Sequence, residues 1–347
     1  MINPLKRRDF IKTAAAGTVG LRLTGNAIEL RHLDQVSSRR VGIIGLDTSH
    51  CGAFTTALNN PVAGQEFSGY KVVAAYPKGS SEIKSSYERI PKYTEDAIKQ
   101  GVEIVKSIEE LLSKVDVVLL ETNDGRLHLE QVIPVLKAGK RVFIDKPIAA
   151  SLADAIAIFD ASEFYKVPLF SSSSLRYIGG AKEIAEGSVG KVLGADAYSP
   201  CTLEKTHPDL FWYGVHGVET LFTVMGTGCK SVVRTSVPDT DVVTGIWSDG
   251  RIGTFRGIRG GKSDYGGIVY GEKGISVLGK YAGYAPLLVK IIEFFNTGIP
   301  PVSSEETLAI FTFMAAAEES KIRGGIPVST EEVFKEARKA VSKVVLS

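Results

Sequence analysis

The sequence predicts an α/β fold in which an N-terminal, doubly wound Rossmann-type parallel sheet precedes a C-terminal α/β domain with a mostly antiparallel open sheet. Two observations support this prediction. Between residues 39 and 171, short apolar runs alternate with capped or amphipathic segments, which is typical of successive βα units. Beyond residue 172, strand-like runs follow one another across the turn signals Ser248-Asp249-Gly250 and Gly271-Glu272-Lys273-Gly274.

The elements of the first domain follow from buried apolar runs and from helix start and stop signals. Ser107 and Glu110 form a capping-box pair that opens one of its helices. The predicted strands are 41–44, 70–76, 117–120, 142–144 and 167–170, and further helices are predicted at 49–59, 128–137 and 151–164.

The second domain is predicted to contain strands at 191–198, 231–236, 241–247, 252–258 and 267–270, with helices at 284–296, 305–323 and 330–342. With 347 residues the chain is long enough for two separate cores. We therefore expect a leader or linker over 1–38, a dinucleotide-binding domain over 39–171 and a substrate-binding and oligomerisation domain over 172–347. The last helix is expected to pack back on the first domain.

The composition is that of a soluble globular protein, with 44% hydrophobic and 23% charged residues. A net charge of +2 argues against a nucleic-acid surface. No stretch reaches the ~18 apolar residues that a membrane span requires, so no membrane association is expected. Cys51, Cys201 and Cys229 are far apart in the sequence. They give neither a zinc spacing nor a disulfide framework, and no metal site is predicted.

The N-terminus carries a possible export signal. Arg7 and Arg8 precede Phe10 and Lys12, and a weakly apolar run follows, as in a twin-arginine leader. The sequence thus predicts export to the periplasm. The alternative is a basic tail on a cytoplasmic protein.

The stretch from residue 39 to residue 54 resembles the opening of a dinucleotide-binding βαβ unit, in which phosphates face a helix N-terminus. Gly45 is present, but Asp47 and His50 stand where the fingerprint G-x-G-x-x-G has its second and third glycines. An ordinary strand–turn–helix corner is the alternative. A carboxylate about 4 Å from a phosphate would cost on the order of 4 kcal/mol at an effective dielectric near 20. Asp47 would avoid this cost if it, Thr48 or Ser49 capped the helix and Asp47 faced away, leaving Ser49 and His50 to meet the phosphates.

The second strand ends without the acidic residue that NAD enzymes place beside the ribose. Lys78, Ser80 and Ser81 follow it instead and would suit a 2′-phosphate. The sequence therefore favours NADP over NAD. An ordinary polar turn would have the same composition.

Several motifs in order resemble the glucose–fructose oxidoreductase and inositol dehydrogenase family, commonly written Gfo/Idh/MocA. Glu121-Thr122-Asn123-Asp124 resembles the family's Ala-Thr-Pro-Asn turn, and His128 opens the next helix as in the family. The segment from Ala138 to Asp145-Lys146-Pro147 resembles its A-G-K-x-V-x-x-E-K-P run. Arg176, Gly214-Val215-His216 and the hairpin at Gly271 also fall in the family's order.

This resemblance implies an NAD(P)-dependent oxidoreductase that transfers hydride between nicotinamide and a sugar, polyol or related hydroxy compound. Lys146 and His216 would handle the hydroxyl proton, since an amine and an imidazole can both exchange protons with it. The family often forms homo-oligomers, which implies a dimer or tetramer. The cofactor contacts implied by the motifs are Glu121, Thr122, Asn123, His128, Asp145, Lys146 and Arg176.

The substrate region departs from the family pattern, because Trp212 stands where the family usually has an aspartate four residues before the histidine. Tyr213 or Glu219 could supply the missing polar group. Trp212 and Tyr213 could equally form an aromatic wall for a sugar ring. The basic, glycine-rich segment 256–267 is either a loop that closes on substrate or a plain connection.

Two rival functions therefore remain open. One is a redox-neutral glycosidase or lyase that uses NAD transiently. The other is a non-catalytic nucleotide- or sugar-binding protein that has kept the fold.

Overall fold

A computed structural model describes residues 39–62 and 67–341; the predicted leader lies outside these ranges. The first sheet has six parallel strands in the order β3-β2-β1-β4-β5-β6, which confirms the predicted Rossmann topology. Its strand order reverses between β1 and β4, and ligands of such sheets bind at the carboxyl ends of the strands at that point. The strands are β1 Arg40–Ile44, β2 Lys71–Tyr76, β3 Glu103–Ile104, β4 Val117–Leu120, β5 Val142–Ile144 and β6 Leu169–Ser171.

Helices cover both faces of this sheet, and β4 and β5 are accordingly buried along their whole length. The Ser107 side chain accepts the Glu110 N–H and caps α4, as predicted. Two helices between β2 and β3 were not predicted: α2 is a single turn, and α3 follows it directly. The helices are α1 Ser49–Leu58, α2 Lys84–Tyr87, α3 Ile90–Lys99, α4 Ile108–Lys114, α5 His128–Lys137 and α6 Leu152–Tyr165.

The second sheet has seven strands in the order β12-β11-β7-β10-β9-β8-β13. Every neighbouring pair is antiparallel except β7 and β10, which are parallel. Both predicted hairpins, β9–β10 and β11–β12, are present. The strands are β7 Val192–Pro200, β8 Cys229–Val237, β9 Thr240–Trp247, β10 Ile252–Ile258, β11 Gly266–Gly271, β12 Gly274–Leu278 and β13 Val328–Ser329.

The remaining helices join the two sheets. Helices α8 and α10 pack on the inner face of the second sheet, and α11 packs on α6. Leu287 and Ile291 of α9 share a hydrophobic cluster with Phe143 of the first sheet. No helix in the described part of the chain is long and apolar enough to cross a membrane. These helices are α7 Ala181–Ala185, α8 Val215–Met225, α9 Ala285–Thr297, α10 Ser304–Ile322 and α11 Thr330–Val341, and a π-helical turn, Leu210–Gly214, leads into α8.

Candidate active site

A cavity of about 280 Å³ lies at the carboxyl ends of the parallel strands, where they meet the start of α8. This is the place at which the strand order of the first sheet reverses. The first sheet and its loops contribute Thr48, Ser49, His50, Ser85, Arg89, Asn123 and Lys146, and the rest of the lining includes Ser174, Thr202, Trp212, Tyr213, His216, Tyr265, Tyr281 and Tyr284.

The start of α1 forms one wall of this cavity. Gly45 has φ +88°, and a Cβ there would lie 2.5 Å from Thr122 Oγ1, so the turn requires glycine. Thr48 occupies the N-cap position without a side-chain cap bond, and its Oγ1 is buried without a described hydrogen-bond partner. Ser49 Oγ lies 2.9 Å from Tyr284 Oη.

The Asp47 side chain points inward and does not cap α1, whose N-cap residue is Thr48. Its carboxylate is fully buried, accepts the Asn123 N–H at 3.0 Å and accepts the Ser86 hydroxyl. Burial raises the pKa of this carboxyl, against the lowering effect of both hydrogen bonds. A Cβ on Gly79 would lie 1.9 Å from Asp47 Oδ2. Asp47 thus fills the space between the ends of β1 and β4 and the loop after β2.

The three residues predicted to bind a 2′-phosphate in the loop after β2 do not all face solvent. Ser80 is buried, and its Oγ donates to Asp124 Oδ2 at 2.8 Å, whereas Lys78 and Ser81 are exposed. Arg126 bonds Asp124 and pairs with Glu82 of the loop at 3.0 Å. The Ser80 hydroxyl therefore anchors the loop through Asp124. This structural role stands in place of the predicted contact with the cofactor.

Lys146 lies on the cavity wall beside a buried acidic cluster. Its Nζ is 3.9 Å from Asp145 Oδ2 and its side chain is 12% exposed. Asp145 Oδ1 is 2.8 Å from His50 Nδ1. Burial opposes ionisation of Asp145, but His50 and Lys146 outweigh it and lower the pKa of this carboxyl. Glu121 lies 3.8 Å from His50 Nδ1, and burial raises its pKa well above the usual range. Asp145 and Glu121 do not line the cavity.

His216 faces the cavity from α8 and is held by a chain of hydrogen bonds. Its Nδ1 lies 2.6 Å from Ser173 Oγ, and Glu219 Oε2 accepts the Ser173 N–H at 2.8 Å. Arg176 bridges Glu219 and Glu306, at 2.9 Å and 2.8 Å. Burial lowers the pKa of His216 well below its usual value, and the positive charge of Lys146 adds to this effect. The ring is therefore neutral near pH 7.

Three predicted site residues prove to be structural and do not line the cavity. Glu219 and Arg176 position the Ser173 loop and make no contact with the cavity. His128 is fully buried, with Nε2 2.7 Å from Thr122 O and Nδ1 3.1 Å from Ile148 O. Burial lowers the pKa of His128, against the raising effect of these two carbonyl contacts.

The aromatic residues predicted at the substrate end do line the cavity, and three further tyrosines join them. Trp212 and Tyr213 lie on the π-helical turn before α8. Tyr213 Oη is 2.9 Å from Tyr265 Oη, and Tyr281 Oη is 3.0 Å from Ser174 Oγ. Tyr265 belongs to the segment predicted either to close on substrate or to be a plain loop. No sequence pattern indicates a role for Tyr281.

The residues at the strand ends and at the start of α1 fit a nicotinamide dinucleotide, whose phosphates would face the start of α1. Ser49, His50 and Asn123 line the cavity at the strand ends, and Arg89 adds a positive charge. The uncapped start of α1 offers N–H groups to an anion. Asp47 opposes a phosphate at the adjacent turn. The site therefore fits the cofactor provided that the phosphates avoid Asp47.

Residues 39–172 match the model of an oxidoreductase family with an NAD-binding Rossmann fold. An uncharacterized oxidoreductase from Streptococcus pneumoniae is 29% identical over 154 residues, or 42% of this chain and 41% of that protein. The 1,5-anhydro-D-fructose reductase of Ensifer adhaerens is 34% identical over 125 residues, or 34% of this chain and 36% of the reductase. The chain thus matches about two-fifths of the length of these relatives.

A solved structure extends the likeness of fold to most of the chain. The scyllo-inositol dehydrogenase of Lactobacillus casei, with bound NAD(H) and scyllo-inositol, superposes with a TM-score of 0.68 at 14% identity. The match covers 85% of this chain and 99% of the dehydrogenase chain. The likeness to the oxidoreductase family in sequence is confined to residues 39–172, and beyond them the likeness is one of fold alone.

Proposed function

We propose that the chain is an NAD(P)-dependent oxidoreductase that acts on a sugar, polyol or related hydroxy compound. The observation that carries the proposal is that Lys146, from the end of β5, and His216, from the start of α8, line one cavity. That cavity lies at the switch point of a Rossmann sheet, in a segment that matches an NAD-binding oxidoreductase family.

The cofactor, when bound, would supply hydride transfer, and the protein would supply orientation and proton transfer. Ser49, His50, Asn123 and Lys146 are the residues that would hold it. The neutral His216 ring is able to accept a proton from a substrate hydroxyl, and we assign this role to Nε2 because Nδ1 is bonded to Ser173. Lys146 would hydrogen-bond the same hydroxyl from the opposite wall.

The remaining wall suits a polyhydroxy substrate. Trp212 and the tyrosines present ring faces together with hydroxyl groups, which can stack on a sugar ring and hydrogen-bond its hydroxyls. The similarities to an anhydrofructose reductase and an inositol dehydrogenase support the same substrate class. Trp212 is therefore assigned to the sugar wall, in place of the family's aspartate.

The test is a screen of sugars and polyols for net formation or loss of reduced nicotinamide, followed by kinetics of Lys146→Ala and His216→Ala. Each substitution should lower turnover by about 10²–10⁴-fold, since positioned acid–base groups contribute that much. His216→Ala should leave cofactor affinity unchanged, because the ring lies on the substrate side. Near-parental turnover in both variants would remove the proposed proton path. Turnover without a net nicotinamide signal would favour the redox-neutral rival.

For the cofactor, we propose a preference for NADP over NAD. The proposal rests on two observations. No acidic residue stands at the end of β2, and the side chains of Lys78 and Ser81 are exposed, whereas Ser80 is bonded to Asp124. Comparison of NADPH and NADH dissociation constants tests it. Equal affinities would contradict the preference.

We also propose export by the twin-arginine route, on the basis of the arginine pair at Arg7 and Arg8. Fractionation of cells that express the full chain, with an Arg7→Lys, Arg8→Lys variant as control, tests this proposal. A cytoplasmic location of both proteins would contradict it.

We further propose a homo-oligomer formed through the outer face of the second sheet. This face exposes a group of apolar side chains, of which Ile275 and Val277 are 69% and 67% exposed. Ile268 and Tyr270 pair directly with Val277 and Ile275, and Ile246 and Ile252 form a second apolar pair on β9 and β10, beyond β7. Sedimentation of the wild type and of Val277→Asp tests the proposal; a monomeric wild type would contradict it.

A further inference from the structure

Glu121 and Asp145 directly follow the neighbouring strands β4 and β5, and His50 lies in the first turn of α1; the three side chains meet beside the cavity. Each offers one ligand atom, and these atoms lie within 4.8 Å of one another. His50 Nδ1 is 2.8 Å from Asp145 Oδ1 and 3.8 Å from Glu121 Oε2. The His50 ring is fixed by an edge contact with the ring of Tyr284, at 4.4 Å between centroids.

Among the described residues, three of the four carboxylate oxygens of Glu121 and Asp145 lack the hydrogen bonds that buried polar atoms normally have, whereas Asp145 Oδ1 is bonded to His50 and accepts the Lys146 N–H. Glu121 and Asp145 are 0% exposed. Neither oxygen of Glu121 has a hydrogen-bond partner in the described chain, nor has Asp145 Oδ2. A buried carboxyl group without hydrogen bonds is costly, and a bound cation is one arrangement that satisfies its oxygens.

The charges of the cluster indicate the kind of ion. Asp47 acts electrostatically on both Glu121 and Asp145, and the lysine beside them is Lys146. Three carboxyl groups thus lie close together beside one lysine. A divalent cation would offset the repulsion between their ionised forms.

We propose that His50, Glu121 and Asp145 form a binding site for one divalent first-row transition ion, such as Zn²⁺ or Co²⁺. Imidazole and carboxylate ligands bind these ions at about 2.0–2.2 Å, so ligand atoms a little more than 3 Å apart are required. The His50–Asp145 pair opens slightly and Glu121 moves in to reach that spacing. Three protein ligands leave further coordination positions vacant. The sequence predicted no metal ligand, because the three residues are separated in the chain and follow no ligand spacing.

His50 is shared with the proposed cofactor site, so the ion is titrated in the absence of nucleotide and the test measures the ion directly. The full chain is treated with a chelator and titrated with Co²⁺, followed by visible absorption, and with Zn²⁺, followed by calorimetry. We expect a stoichiometry of one ion per chain, and either Co²⁺ or Zn²⁺ should raise the melting temperature. Loss of a residue that only supports a metal ligand lowers metal affinity by about 10–100-fold, and Glu121→Gln should weaken ion binding by more than this.

His207→Gln is the matched control. His207 Nε2 lies 3.5 Å from Asp124 Oδ1, a histidine–carboxylate pair outside the cluster, so this variant should bind the ions as the wild type does. Glu121→Gln removes no described hydrogen bond and should fold; if it does not, Asp145→Asn replaces it. Absence of saturable binding of either ion to the wild type would overturn the proposal. Equal binding by the wild type and the ligand variants would do the same.

Discussion

Asp47 is the residue whose substitution should change cofactor binding most. It lies at the first βα turn, where Rossmann proteins bring a pyrophosphate close to the backbone. Its carboxylate accepts hydrogen bonds from the Asn123 N–H and the Ser86 hydroxyl, so neither donor is available to a phosphate. Asp47→Asn removes the negative charge at nearly constant shape. The asparagine oxygen can keep the bond from Asn123, and its amide can donate to Ser86.

The expected gain follows from the charge. Two unit charges about 4 Å apart repel by about 4 kcal/mol at an effective dielectric of 20. Screening by solvent and by the α1 N–H groups reduces this value. Burial also raises the pKa of Asp47, which makes neutralisation of the carboxyl easier when an anion approaches. We therefore expect a ten- to hundredfold decrease in the NADH dissociation constant, or about 1.4–2.8 kcal/mol.

The assay is a fluorescence titration of NADH into the wild type and Asp47→Asn at low and high salt. Ser86→Ala is the control, because it loosens the same contact and keeps the charge. It should bind NADH within about twofold of the wild type, since a single neutral hydrogen bond contributes little net free energy. The reasoning is refuted if Asp47→Asn binds no more tightly than the wild type, or if Ser86→Ala tightens binding as much.

Two further predictions concern His216. Glu219→Gln should lower kcat more than it raises KM, because Glu219 holds the N–H of Ser173, whose hydroxyl orients His216; steady-state kinetics that match the wild type would argue against this positioning role. The pKa of His216 is lower in the folded chain than in the unfolded chain, so the unfolded chain binds the extra proton. The free energy of unfolding should therefore decrease as pH falls below about 6.5, by up to about 1.4 kcal/mol per pH unit from this group. Urea unfolding between pH 8 and pH 5 measures the slope, which should be smaller in His216→Gln; an unchanged slope would contradict the argument.

The fold was largely predictable because the strands of the first sheet are buried on both faces and therefore form continuous apolar runs. Strands 117–120, 142–144 and 252–258 were predicted to the residue. Helix α2 was not predicted, because one turn is too short to show a 3.6-residue period. Helix α3, which follows it, was also missed.

The site was predictable only where a motif carries it. Lys146 and His216 follow from such motifs, and both line the cavity. The direction of the Asp47 side chain was not predictable, because its neighbours in the sequence permit both a capping and an inward orientation. The choice depends on Ser86 and Asn123, which only the folded chain brings near.

Residues from distant loops were beyond sequence reasoning for the same reason. Tyr281 and Tyr284 reach the cavity because the chain between β12 and α9 crosses it, and nothing in their local sequence indicates this. His50, Glu121 and Asp145 were each predicted to contact the cofactor. Their mutual contact arises because β4 and β5 end at the same edge of the sheet at which α1 begins.

The most direct test of the nicotinamide-dependent function is equilibrium titration of NADH and NADPH into the purified protein, stripped of any bound nucleotide. The structure predicts saturable binding of one nucleotide per chain, with a further change in nicotinamide fluorescence when a polyol occupies the cavity beside Lys146 and His216. Absence of saturable binding of either nucleotide, in the wild type and in Asp47→Asn alike, would contradict it.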